Sequence, residues 1–160
     1  MANELNGALQ GEGLRIAIGV ARFNLFVTQK LLEGAKEALA LHGVRDDDIL
    51  VVWVPGSFEL PVAAKTLAET GRYDAVICLG AVIRGDTDHY ELVSENAARG
   101  IGRVALETGV PVSFGVLATE NVGQATDRAG GKSGNLGYSA AVGAIETARL
   151  IEEIKDQKGD

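Results

Sequence analysis

Four short, almost wholly apolar runs alternate with stretches of helical apolar spacing, and this alternation constrains the fold more than any other feature. The runs are residues 15–20 (RIAIGV), 49–54 (ILVVWV), 74–80 (DAVICLG) and 110–117 (VPVSFGVL). Strands this apolar, without an alternating polar face, belong to a parallel sheet covered on both sides. The intervening segments predict helices over 26–41, 57–70, 88–108 and 121–129. A Gly-rich link (Gly130, Gly131, Gly134) then leads to a last helix with Ala141, Ala144, Ala148, Ile151 and Ile154 on one face. Right-handed crossovers turn this order into a three-layer α/β/α sandwich, flavodoxin-like, with a four-stranded parallel sheet. His42 reads as a C-terminal cap and Gly43 as a stop for the first helix. Ser57 reads as the N-cap of the second. Residues 4–13 (ELNGALQGEG) are too few for another α/β unit and are read as an extra N-terminal edge strand, against this sheet or a neighbouring subunit. Residues 1–160 are read as one domain.

The chain carries 15 basic against 22 acidic residues, a net charge of −7, which argues against nucleic-acid binding. An anionic ligand would need a few placed donors. No apolar run is long enough to span a bilayer and no signal-peptide pattern opens the chain, so a membrane role is not expected. The single cysteine, Cys78, excludes an intramolecular disulfide and suits a reducing cytoplasm.

In open α/β sheets, ligands bind beyond the carboxyl ends of the strands. That rule selects residues 21–24, 55–59, 81–89 and 114–120. Phe23 offers a flat apolar face, either to a planar ligand or to the following helix. Residues 55–61 (PGSFELP) join backbone N–H groups to a hydroxyl and a carboxylate. That is a polyol site or a plain helix start. In residues 80–90 (GAVIRGDTDHY), Gly85 permits a tight turn, and N–H groups before the next helix form a phosphate nest. His89, beside that nest, is suited to proton transfer near neutral pH. Phe114 is a pocket wall or a core residue, and Arg128 a phosphate ligand or a surface ion-pair partner. Other motifs fail: the P-loop ending at Gly131-Lys132-Ser133 has Thr126 where its first glycine belongs. Asp86 to His89 has metal-ligand types without a second cluster, so no metal is expected. There is no nucleophile elbow.

The stretches GVARFN, VPGSFELPVAAK, CLGAVIRGDTDHYELV, GVPVSFGVLATEN and DRAGGKSGN stand in one order over residues 7–154. Together they resemble the lumazine synthase family. The resemblance implies condensation of 5-amino-6-(D-ribitylamino)uracil with 3,4-dihydroxy-2-butanone 4-phosphate, the penultimate step of riboflavin biosynthesis, without cofactor or metal. It implies His89 as proton donor and Phe23 stacked on the pyrimidine. Ser57, Phe58, Glu59, Ala81, Val82 and Ile83 would hold the ribityl chain and ring edge. Asp86, Thr87 and Arg128 would meet the phosphate, and Phe114 would line the ring pocket. It also implies pentamers with sites between neighbours, and a sixty-subunit shell that encloses riboflavin synthase. One departure stands out: the family usually has lysine after Gly-Asn and often an acid three places on, where this chain has Leu136 and Ser139. The alternatives are a binding or shell protein of this fold without efficient turnover, and a flavodoxin-like electron carrier. The second of these lacks the Ser/Thr/Gly run that a flavin phosphate needs in the first βα loop.

Overall fold

A computed structural model describes residues 1–86 and 88–157. Its main sheet has four parallel strands: β1 (Ile16–Ala21), β2 (Ile49–Val54), β3 (Ala75–Ile83) and β4 (Val112–Thr119), in the order β2-β1-β3-β4. Around it lie α1 (Leu25–Leu41), α2 (Leu60–Glu69), α3 (His89–Thr108), the short α4 (Val122–Asp127) and α5 (Leu136–Asp156). A small antiparallel hairpin, β5 (Ala129–Gly131) and β6 (Gly134–Asn135), replaces the plain Gly-rich link expected before α5.

Strand side chains alternate between the two covering layers, as the period of a β-strand requires. Ile16, Ile18 and Val20 of β1, with Ile77 and Leu79 of β3, pack beneath α1 and α5. Ala17, Ala21, Val76, Cys78 and Val116 pack on the other side, beneath α2 and α3. This is the expected α/β/α sandwich with helices on both faces of a parallel sheet. The α1 and α5 backbones approach so closely that a Cβ on Gly137 would collide with the Leu31 carbonyl. Burial on both faces explains why the strands read as unbroken apolar runs.

Three boundaries differ from expectation. First, β3 runs on through Ala81, Val82 and Ile83, which pair with Leu117, Ala118 and Thr119 of β4. These three therefore belong to the strand and not to the loop. Their apolar, partly β-branched side chains favour the extended ladder. Second, Ser57 is not the N-cap of α2. A 3-10 turn over Ser57–Glu59 comes first, and α2 begins with Pro61 at its start, where a missing N–H costs nothing. Third, the N-terminal segment is not an edge strand of this sheet. Its backbone is engaged elsewhere: Gly11 N–H donates to the His42 carbonyl (2.7 Å), and Arg149 donates to the carbonyls of Gln10 (2.7 Å) and Glu12 (2.8 Å). It lies on the ends of α1 and α5, and among the described residues no strand pairs with the outer edge of β2. His42 does close α1, with its Nδ1 2.7 Å from the Ala38 carbonyl oxygen. Among the described residues, no helix is long and apolar enough to cross a membrane.

Candidate active site at the strand ends

Strand order reverses between β1 and β3, because β2 lies on one side of β1 while β3 and β4 lie on the other. Such a switch point parts the loops that follow the two central strands and leaves a crevice. A cavity of about 290 Å³ occupies this crevice, lined by Phe23, Asn24, Ser57, Ala81, Val82, Ile83, Gly85, His89, Tyr90 and Val93. A larger recess of about 530 Å³ beside Lys65 and Glu107 lies at the opposite end of the sheet. Position at the strand ends, not volume, therefore singles out the first.

Each element delivers its side chain for a local reason. The ladder between β1 and β2 continues past the strands: Arg22 N–H donates to the Val54 carbonyl (2.8 Å), and Phe23 N–H to that of Pro55 (3.0 Å). Phe23 thus leaves the sheet at a fixed height, 71% exposed as a residue. Ser57 is only 5% exposed and sits against Gly80, where any larger residue would displace its hydroxyl. Ser57 lines the cavity. A hydroxyl that lines the cavity can donate to or accept from a polar group of a ligand. Ala81 and Val82 are buried and form an apolar floor. His89 is the first residue of α3, a helix of 20 residues whose opening N–H groups have no intrahelical acceptor. The positive end of the helix dipole lies there too. Arg84 leaves β3 beside this turn, with its guanidinium 5.6 Å from the Tyr90 ring centre and 3.5 Å from Glu120 Oε1.

Six of the residues singled out in the sequence therefore meet around one cavity: Phe23, Ser57, Ala81, Val82, Ile83 and His89. Five others do not line it. Phe58 is exposed and its carbonyl accepts a hydrogen bond from Asn96 Nδ2 (3.4 Å). Glu59 points to the turn at Gly56, and Asp86 is exposed in the loop. Phe114 is the third residue of β4, on the sheet edge and well below the strand end, 43% exposed. Arg128 caps α4 and donates to the Gln124 carbonyl (3.1 Å). Thr87 lies outside the described residues. Sequence reading passed over Asn24, Tyr90 and Val93. The last two had a signal, since they lie one and four positions after His89 on the helix that opens at the nest.

A parallel sheet with an aromatic-walled cavity at its switch point, and an imidazole at the following helix start, defines an α/β protein with a small-molecule-sized cavity at its strand ends. The family model of 6,7-dimethyl-8-ribityllumazine synthase matches residues 13–152, and the chain belongs to that family. It is accordingly an enzyme of riboflavin biosynthesis acting on small molecules.

Proposed function

We propose that the chain condenses 5-amino-6-(D-ribitylamino)uracil with 3,4-dihydroxy-2-butanone 4-phosphate to 6,7-dimethyl-8-ribityllumazine, with loss of phosphate and water. The observation that carries this reading is the convergence of Phe23, the Ser57 hydroxyl and His89 on one cavity, in a chain of this family. Phe23 stacks on the pyrimidine against the floor of Ala81, Val82 and Ile83. Ser57 meets the ribityl hydroxyls inside the cavity, and Phe58 and Glu59, which follow it outside the cavity, extend the hold along the chain. The amine attacks the ketone to form an imine with loss of water, phosphate leaves by elimination to give an enol that tautomerises to a carbonyl, and the second amine closes the ring on that carbonyl with loss of a second water. Each step moves a proton or releases an anion, so an imidazole and an anion nest serve all of them. His89 carries the protons. Asp86 and Thr87, shortly before α3 in the sequence, receive the phosphate through their N–H groups.

Phe114 and Arg128 fit this scheme as contributions from a neighbouring chain, since neither lines the cavity of its own. The assembly is then a pentamer with sites between neighbours. Its larger form is a sixty-subunit shell around riboflavin synthase, in the cytoplasm. Leu136 and Ser139 favour a second reading, a binding protein of this fold with little turnover: neither supplies a charge, and the Ser139 hydroxyl donates to the Asn135 carbonyl (3.4 Å). An absorbance assay for lumazine formation from the two named substrates decides between them. Steady turnover supports the enzyme. Tight pyrimidine binding without turnover supports the binding protein.

A further inference from the structure

Among the described residues Asn24 is the only non-glycine residue with a positive φ, at 61°. Asparagine tolerates this left-handed conformation better than other side chains, but seldom without a reason. Here three hydrogen bonds depend on it. The Asn24 carbonyl accepts the N–H groups of Val27 (2.9 Å) and Thr28 (3.1 Å), which starts α1 with no side-chain cap. The side chain turns the other way, and its Nδ2 donates to the Ala81 carbonyl on β3 at 2.8 Å. Phe23, the preceding residue, is already held on its other side by the bond from its N–H to Pro55. The turn that carries the exposed ring is thus tied to the β2 side by backbone and to β3 by this one carboxamide.

We propose that Asn24 is a positioning residue, which fixes the Phe23 ring over the cavity floor at Ala81 before any ligand arrives. The identity of the ring ligand rests on the function proposed above; the tether itself does not. A ring this exposed has little packing to hold it, so an untethered turn would have to be ordered by the ligand, at a cost in affinity. Only asparagine meets both demands. Glycine accepts the positive φ but supplies no tether. Aspartate accepts the conformation and can still begin a helix, but it sets a carboxylate oxygen against the Ala81 carbonyl.

The test compares the full-length protein with Asn24→Asp and Asn24→Gly. Hydrogen exchange over residues 22–25 should speed up severalfold in both variants, while the interior of α1 and the melting temperature of Asn24→Asp change little. Binding of the amino-pyrimidine alone, measured by calorimetry, should weaken about tenfold, the scale of one lost hydrogen bond in an equilibrium. Half-saturation by the sugar phosphate should move less than twofold. Unchanged exchange in Asn24→Asp overturns the tether, and so does an equal loss for both substrates. A wild-type protein that makes no lumazine sinks the assigned reaction instead, and the exchange result then decides the tether by itself.

Discussion

His89 stands on the rim of the fold, exposed, at the first residue of α3. Replacing it removes no core volume, so His89→Ala should keep the melting temperature of the parent. Turnover at saturating substrate should fall by about 10² if the imidazole carries the protons. Unaltered turnover would take His89 out of the mechanism. Cys78 is the opposite case. Burial pushes its thiol from the ordinary 9.0 up to about 12, because the thiolate would have to form in an apolar layer. A thiol whose folded pKa is raised stabilises the fold below the unfolded value and loses that contribution as pH climbs from 9.0 towards about 12. Denaturant titrations should therefore show the parent losing about 1.4 kcal/mol more per pH unit in that window than Cys78→Ala. Parallel slopes in the two proteins would mean that the thiol already meets water in the folded state. At this scale the sequence was legible where residue type and position agreed. A histidine after a Gly-turn and a phenylalanine after a strand both stand at the cavity. Asn24 was not legible, since its part depends on a carbonyl 57 residues away.

Elements were read well wherever periodicity was strong, because burial on both faces leaves unbroken apolar strands and one-sided helices. Their ends were read less well. The last three residues of β3 looked like loop, since only pairing with β4 makes them strand. The hairpin of β5 and β6 has almost no side chains to announce it. That hairpin bears on Leu136, the first residue of α5, which packs partly buried against the core under α1. A lysine there would have to leave that contact to reach a ligand. Lys132, by contrast, is exposed between the two hairpin strands. Leu136→Lys should accordingly lower stability by about 1–2 kcal/mol, the scale of part of a buried leucine, with little gain for the sugar phosphate. If Lys132 takes the place of the family's lysine at the phosphate, Lys132→Ala should raise half-saturation by the sugar phosphate by one to two powers of ten, roughly the value of a charge-assisted contact. Chemical denaturation and saturation curves for both variants measure this. Tighter sugar-phosphate use in Leu136→Lys would show that position 136 faces the phosphate after all.

At the scale of the whole molecule, the unpartnered residues form a pattern. Leu50 and Trp53 are exposed on β2, at one edge of the sheet, and Phe114 on β4, at the other. Exposed apolar side chains on opposite edges suit a head-to-tail contact, which closes into a ring when the rotation permits. The same contact would bring Phe114 and Arg128 of one chain towards the cavity of the next. If His89 and Arg128 serve one site from two chains, His89→Ala and Arg128→Ala should each be nearly inactive alone. Dissociated, mixed in equal amounts and reassembled, they should regain activity. Each site then draws its histidine and its arginine independently, so about one site in four is intact after random mixing. If both residues serve the site of their own chain, no mixed assembly contains an intact site, and activity stays at the level of the separate variants. Recovery near a quarter of the parent rate places the site between chains. No recovery, with reassembly verified by light scattering, places it within one.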